Sequence, residues 1–278
     1  MSLETHHYRA TVLRTALAGG LLFLVPAPLG ASDIAPYTQL QDAPEGELIG
    51  LLDRVANART SSETRAAAAV AVAKLLERGH TDAVTDRALE TLGALGAPQG
   101  GRMLAQYTHH RRPATRARAY AALGKVAGAD PALRQRVANG LRDDWPGVRG
   151  AAARALEVLK AREATATLLQ AVGRGVPEAA VTLGTIGEPS SLEGFTAYLG
   201  KQPLDVMLSG YDRWLSRPDL DEKAKLGIIA RLEDVAGPEV LRFVSALGRR
   251  RELSPAVRQS AAAATLRIGK AQATQAKP

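Results

Sequence analysis

The chain reads as an all-α protein built as a stack of short antiparallel helices, and three observations lead there. The apolar content is 46% yet the aromatic share is only 4%, so the core is mostly Ala, Leu and Val, which suits closely packed helices better than sheets. Prolines recur at 98, 113, 131, 146, 177, 189, 203, 218, 238 and 255, spaced about a helix length apart, and proline is tolerated at the first turn of a helix and hardly elsewhere in one. Between those starts a single apolar pattern repeats at helical spacing.

Along the chain, residues 1–31 come first. Arg9 and Arg14 precede an apolar run from Ala16 to Val25, then Pro26, Pro28 and the small-residue stretch Leu29-Gly30-Ala31-Ser32. This charged, apolar, small-residue order is that of a secretory signal peptide, and the run is shorter than the ~20 residues needed to span a bilayer. The expectation is an exported protein, periplasmic or extracellular, cut near Ser32, with no transmembrane span in the mature chain. The cut takes away Arg9 and Arg14 but also Glu4, so the net charge falls by one, from +8 to +7. Residues 32–46, with Pro36 and Pro44, read as a linker, and 270–278, polar and without periodicity, as a loose tail.

Residues 47–269 carry the repeats. Apolar or small residues fall at offsets 0, 4, 7, 8 and 11, the stripe of a helix buried along one face. The pattern is met by Thr64, Ala68, Ala71, Val72, Leu75; by Val84, Ala88, Thr91, Leu92, Leu95; by Thr115, Ala119, Ala122, Leu123, Val126; and by Val148, Ala152, Ala155, Leu156, Leu159. It continues weakly from Gly175 and returns at Val257, Ala261, Ala264, Thr265, Ile268. Small residues at offsets 4 and 7 let helices approach, while offsets 8 and 11 fill the layer between them. Four copies carry Arg at offset 1: Arg65, Arg116, Arg149 and Arg258. The steps from 84 to 115 and from 115 to 148 are 31 and 33 residues, but the step from 64 to 84 is 20, which predicts an irregularly packed helix near 82–96.

Segments such as Asp143-Asp144-Trp145-Pro146-Gly147-Val148-Arg149-Gly150-Ala151-Ala152-Ala153-Arg154-Ala155-Leu156 resemble HEAT repeats, in particular the short bacterial HEAT-like (PBS-lyase-type) form. The resemblance implies an α-solenoid, a superhelix of about seven antiparallel hairpins, each burying its apolar face on its neighbours. It is clearest in four copies and degenerate from about 190 to 250.

Little in the chain supports catalysis. There are no cysteines, which removes thiolate nucleophiles, Cys-ligated zinc, disulfides and thioether attachment of bilins. A HEAT-like enzyme class holds iron through paired His-Glu steps, and no His-Glu dipeptide occurs. His109 and His110 are adjacent and so point apart on a regular helix. The Gly-Lys pairs run into Val126, Gln202 and Ala271, not the Ser or Thr of a phosphate-binding loop. Enzymatic alternatives suggested by the resemblance, a DNA glycosylase-like or bilin lyase-like activity, rest on analogy. For the former, Arg111, Arg112, Arg116, Arg118, Arg134, Arg136, Arg142, Arg149 and Arg154 with Tyr211-Asp212-Arg213-Trp214 supply suggestive parts, but Arg at offset 1 also suits pairing with turn acids such as Asp143 or Asp144, and a basic footprint alone is a weak warrant for nucleic acid.

Binding without chemistry, and without cofactor or metal, is the reading that remains: a scaffold for another protein or peptide, of acidic character given the basic charge. Lys74, Arg87, Arg118, Lys125, Arg154 and Arg267, at offsets 3, 6 and 10 of their copies, are the expected basic stripe. Trp145, Trp214 and Tyr211 are the best anchor candidates, weighed against ordinary packing.

Overall fold

The computed structural model describes residues 35–275. Among them the only regular structure is helical: a one-turn α1 (Ala35–Thr38), then α2 (Glu45–Asn57), α3 (Ser62–Leu76), α4 (Asp82–Leu95), α5 (Gly101–Tyr107), α6 (Pro113–Val126), α7 (Pro131–Asn139), α8 (Pro146–Val158), α9 (Thr165–Gly173), α10 (Pro177–Ile186), α11 (Leu192–Thr196), α12 (Leu204–Ser216), α13 (Glu222–Val235), α14 (Gly237–Leu247) and α15 (Pro255–Gln275). Pro113, Pro131, Pro146, Pro177 and Pro255 open α6, α7, α8, α10 and α15, where the missing N–H costs nothing. Asp130 caps α7 by accepting from the Ala132 and Leu133 amides at 2.9 and 3.1 Å. Pro218 instead sits in the turn ahead of α13.

The helices form two rows. α2, α4, α6, α8, α10 and α12 each lie against the next of the set, and α3, α5, α7 and α9 lie alongside, each forming a hairpin with the helix that follows it. α11 joins α12 through Phe195, whose ring meets Tyr211 edge-on at 5.1 Å. Successive helices pair from α3 and α4 to α11 and α12, flanked by α1 and α2 at one end and by α13, α14 and α15 at the other. The stack thins between α12 and α13 or α14, while α15 packs closely on both α13 and α14. One continuous core runs from Leu40 to Ile268, as expected when each repeat buries its apolar face on its neighbours.

Three expectations about boundaries change. α4 is not irregular: it stands in the row with α6 and α8, and the short 20-residue step arises because the copy starting at Thr64 is α3, in the other row. The apolar pattern describes a buried helix in either row. The segment expected as linker (32–46) is helical from Ala35 to Gln41, and Leu40 is buried within the core; one apolar side chain anchors it where composition showed only prolines. At the other end α15 runs through the expected tail to Gln275. The signal-peptide segment lies outside the described residues.

What holds the first row together is legible at offset 9. A Cβ on Gly93 would sit 3.0 Å from Ala122 Cα, one on Gly124 2.8 Å from Ala155 Cα, and one on Gly184 2.5 Å from the Gly210 carbonyl oxygen. These contacts are to backbone, which cannot swing aside, so glycine at these positions sets the helix-to-helix distance. Helices of the other row touch one another sparsely.

Candidate functional site

Three of the four offset-1 arginines tie the preceding loop to the helix it enters. Arg65 donates to the Thr60 carbonyl at 3.0 Å, Arg116 to those of His110 and Arg111 at 3.0 and 3.3 Å, and Arg149 to those of Asp143 and Asp144 at 3.0 and 2.9 Å. Arg116 also grips Asp143 with two bonds of 2.8 Å each, the partner anticipated from sequence. Burial pushes the Asp143 carboxyl up, but the Arg116 bonds and the Trp145 amide outweigh it and leave the group below its ordinary value.

Charges on the row helices also pair across the repeats. Arg118 of α6 meets Glu90 of α4 at 3.1 Å and Asp86 at 3.3 Å. One step on, the signs are exchanged: Arg154 of α8 meets Glu178 of α10 at 2.8 Å. Arg87 bridges Asp53 of α2 and Glu90, and Arg267 of α15 pairs with Glu233 of α13. Of the expected basic stripe, then, Arg87, Arg118, Arg154 and Arg267 have carboxylate partners within the stack. Lys125 is exposed on α6, and Lys74 is exposed on α3, in the other row. The structure brings Arg87, Arg118, Lys125 and Arg154 onto helices of one row and leaves Lys74 and Arg267 apart from them.

The anchor candidates separate cleanly. Trp214 and Tyr211 are fully buried, whereas Trp145 is 58% exposed. Arg217, itself buried, lies 4.5 Å from the Trp214 ring centre, donates to the Gly187 carbonyl at 2.6 Å and holds Asp219 with two bonds of 2.9 and 2.7 Å. Asp212 pairs with Arg250 at 2.5 Å. The Tyr211-Asp212-Arg213-Trp214 segment therefore serves packing, with only Arg213 exposed. Among the described residues no group of three or more His, Cys, Asp or Glu side chains is placed to hold a metal ion. His109 contacts Arg136 at 2.7 Å and His110 stacks on Tyr107.

A groove of about 740 Å³ lies between α8 and α10, lined by the C-terminal half of α8, the turn after it, one face of α10 from Glu178 to Ile186, and Arg213 of α12. Its cause lies in the ladder of glycines. Offset 9 is Gly93 in α4, Gly124 in α6 and Gly184 in α10, but Glu157 in α8. A side chain that could not fit at the other crossings stands here, so α8 and α10 part at this end. Thr182 donates to the Ala153 carbonyl at 3.1 Å and to the Glu157 carboxylate at 3.3 Å.

The groove floor is aliphatic: Val158, 61% exposed, faces it with Val181 and Ile186. Its rim carries Arg154, Lys160, Arg162 and Arg213 against Glu157 and Glu178. Lys160 has the unusual φ of 49° and follows the last turn of α8, where the Ala161 amide donates to Leu156 and the Lys160 amide to Glu157, both at 3.0 Å. Glycine is the usual residue at such a helix end because a Cβ is penalised there. Sequence inspection missed Glu157, Val158 and Lys160. The available signal was the glycine recurring at offset 9 and its replacement in one copy.

Residues 71–157 match the family model for HEAT repeats, a span that takes in the row helices α4, α6 and α8. No curated protein matches the chain. Among solved structures, an engineered protein aligns with 86% of this chain and 68% of its own at 14% identity and a TM-score of 0.47. A designed armadillo repeat protein aligns over 84% and 99% at 14% identity, TM-score 0.40. A HEAT-like repeats protein from the archaeon Thermococcus onnurineus aligns over 88% and 98% at 15% identity, TM-score 0.30. The described chain is an α-solenoid. It carries HEAT repeats over residues 71–157.

Proposed function

We propose that this protein is an exported, non-catalytic scaffold whose face formed by α4, α6, α8, α10 and α12 holds an acidic protein partner. The observation that carries the reading is how the charged side chains are used: acids and arginines are committed to joining neighbouring repeats, while Lys125, Lys160 and Arg213 on or beside the row helices have no carboxylate partner among the described residues. A continuous helical face with uncommitted cations favours association with an acidic surface. Export rests on the pattern of residues 1–31.

Two measurements test the two halves. N-terminal sequencing of protein from the native host should begin near Ser32 in an extracytoplasmic fraction; an intact Met1 in the cytoplasm refutes export. A photo-crosslinking amino acid placed in living cells at Lys125 or Arg213 should give discrete crosslinked species, and placed at Gln135 on α7 should not. These crosslinks should fade as salt in permeabilised cells shortens the Debye length from about 10 Å at 0.1 M to about 3 Å at 1 M. Crosslinks confined to the α7 position would place the partner on the opposite face.

A further inference from the structure

We infer that the groove between α8 and α10 is a recognition site for an acidic peptide segment bearing an aliphatic side chain, a proposal that deepens the scaffold reading and rests on it. Three independent features of the groove point the same way. The first is that, within the row of helices, the opening falls where the offset-9 glycine is replaced. Where Gly93, Gly124 and Gly184 hold their neighbours at backbone contact, Glu157 separates α8 from α10 and exposes an aliphatic floor of Val158, Val181 and Ile186 that a glycine would have let the helices cover. A valine 61% exposed on such a floor is a place for an apolar side chain to be taken out of water.

The second feature is charge. The rim carries four cations, Arg154, Lys160, Arg162 and Arg213, against two carboxylates, Glu157 and Glu178. Arg154 is held by Glu178, and Arg162 reaches Asp219 at 3.4 Å. That leaves Lys160 and Arg213 as cations available to a visiting carboxylate, on either side of the floor. The Glu157 carboxylate, met by Thr182, disfavours a second acid at the bottom of the groove. The match is therefore an aliphatic side chain in the middle with acids flanking it.

The third is the backbone at Lys160. A non-glycine residue at φ 49° is penalised by its Cβ, and glycine would close this helix end without that penalty. Strain held at a groove rim, on the residue that supplies an uncommitted cation, fits retention of Lys160 for its side chain.

Selection of phage-displayed random dodecapeptides on the full mature protein tests the inference, followed by anisotropy titration of the best peptide in synthetic, fluorescein-labelled form. Enriched sequences should place Asp or Glu on both sides of a Leu, Ile or Val. Lys160→Gly should weaken the titrated peptide by at least about tenfold, the scale expected for loss of a close charge pair, while raising the unfolding midpoint. Arg213→Glu should weaken it similarly, and Val158→Asp should abolish binding. Gln135→Glu, exposed on α7 in the other row and away from the groove, should leave it within about twofold. Enrichment of basic or uncharged peptides, no enrichment at all, or binding indifferent to Lys160→Gly and Val158→Asp would each overturn the proposal. Any of those results together with salt-sensitive crosslinks from the row face in cells would remove the groove and keep the scaffold; loss of those crosslinks as well would remove both.

Discussion

Arg217 shows how a single cation can substitute for a repeat contact. It sits where the stack begins to thin, and it joins the end of α10 through Gly187, the end of α12 through Trp214, and the turn into α13 through Asp219. Removing it strands a buried carbonyl and an acid, so Arg217→Met should cost about 2 to 4 kcal/mol in equilibrium unfolding. The hydrogen bonds from Arg217 hold the Asp219 carboxyl at about 2, below its ordinary 3.8. A carboxyl depressed by folding stabilises the fold above its unfolded value and loses that contribution as pH falls through the folded one. The Asp219 side chain is 40% exposed, so solvent screening limits the effect to about 1 kcal/mol or less. Urea melts should thus show Asp219→Asn less stable than wild type at pH 6, with the gap closing between pH 4 and 2. A constant gap across that window would mean that the charge contributes nothing.

At the level of the helix, glycine has opposite consequences according to what its missing Cβ would meet. In α6, a Cβ on Gly124 would press on Ala155 Cα and its carbonyl at 2.8 and 3.2 Å. Gly124→Ala should destabilise by about 1 to 3 kcal/mol despite the better helix propensity of alanine. In α13, Gly227 has nothing within 4 Å of that position, so Gly227→Ala should stabilise by about 0.5 to 1 kcal/mol. Thermal unfolding of the two variants should move in opposite directions; equal shifts would show that close approach does not set the row spacing. Leu156, at offset 8 of α8, is completely buried, and Leu156→Ala should cost about 2 to 5 kcal/mol. A loss under about half a kcal/mol, typical of surface changes, would contradict its placement between the repeats.

For the whole molecule, the distribution of contacts divides the stack. From α2 to α12 each row helix leans on the next, whereas α12 meets α13 and α14 only lightly and α15 gathers those two into a terminal unit. In a solenoid, stability is a sum of local terms and nearest-neighbour interfaces, so a weak interface lets the segment beyond it open by itself. Native-state hydrogen exchange should show α13–α15 as a unit with lower protection than α6 and α8, and Arg250→Ala, which breaks the contact with Asp212, should widen the difference. Uniform protection along the chain would mean that the terminal unit is as firmly coupled as the rest.

The class of fold and the start of most repeat helices were legible in the sequence because proline geometry and apolar spacing act locally: a residue's fitness for a helix start or a buried stripe depends on its own backbone and on neighbours three or four positions away. That an offset-1 arginine would pair with a turn acid was legible from the repeat, while the choice of Asp143 by Arg116, 27 residues away, came from the stacking of one repeat on the next. Which row a helix joins was not, because α3 and α4 bury the same pattern against different partners. Nor was the state of the basic residues: Arg118 and Arg154 look alike as charges along a chain, and only stacking puts Glu90 and Glu178 opposite them. Tyr211 and Trp214 could be read as anchors or, with more weight, as core, and the fold buries both. The groove is the plainest case. Glu157 is an ordinary helical residue in its own segment, and its consequence exists only where α10 crosses it, because separation of two helices is a property of the pair and not of either sequence.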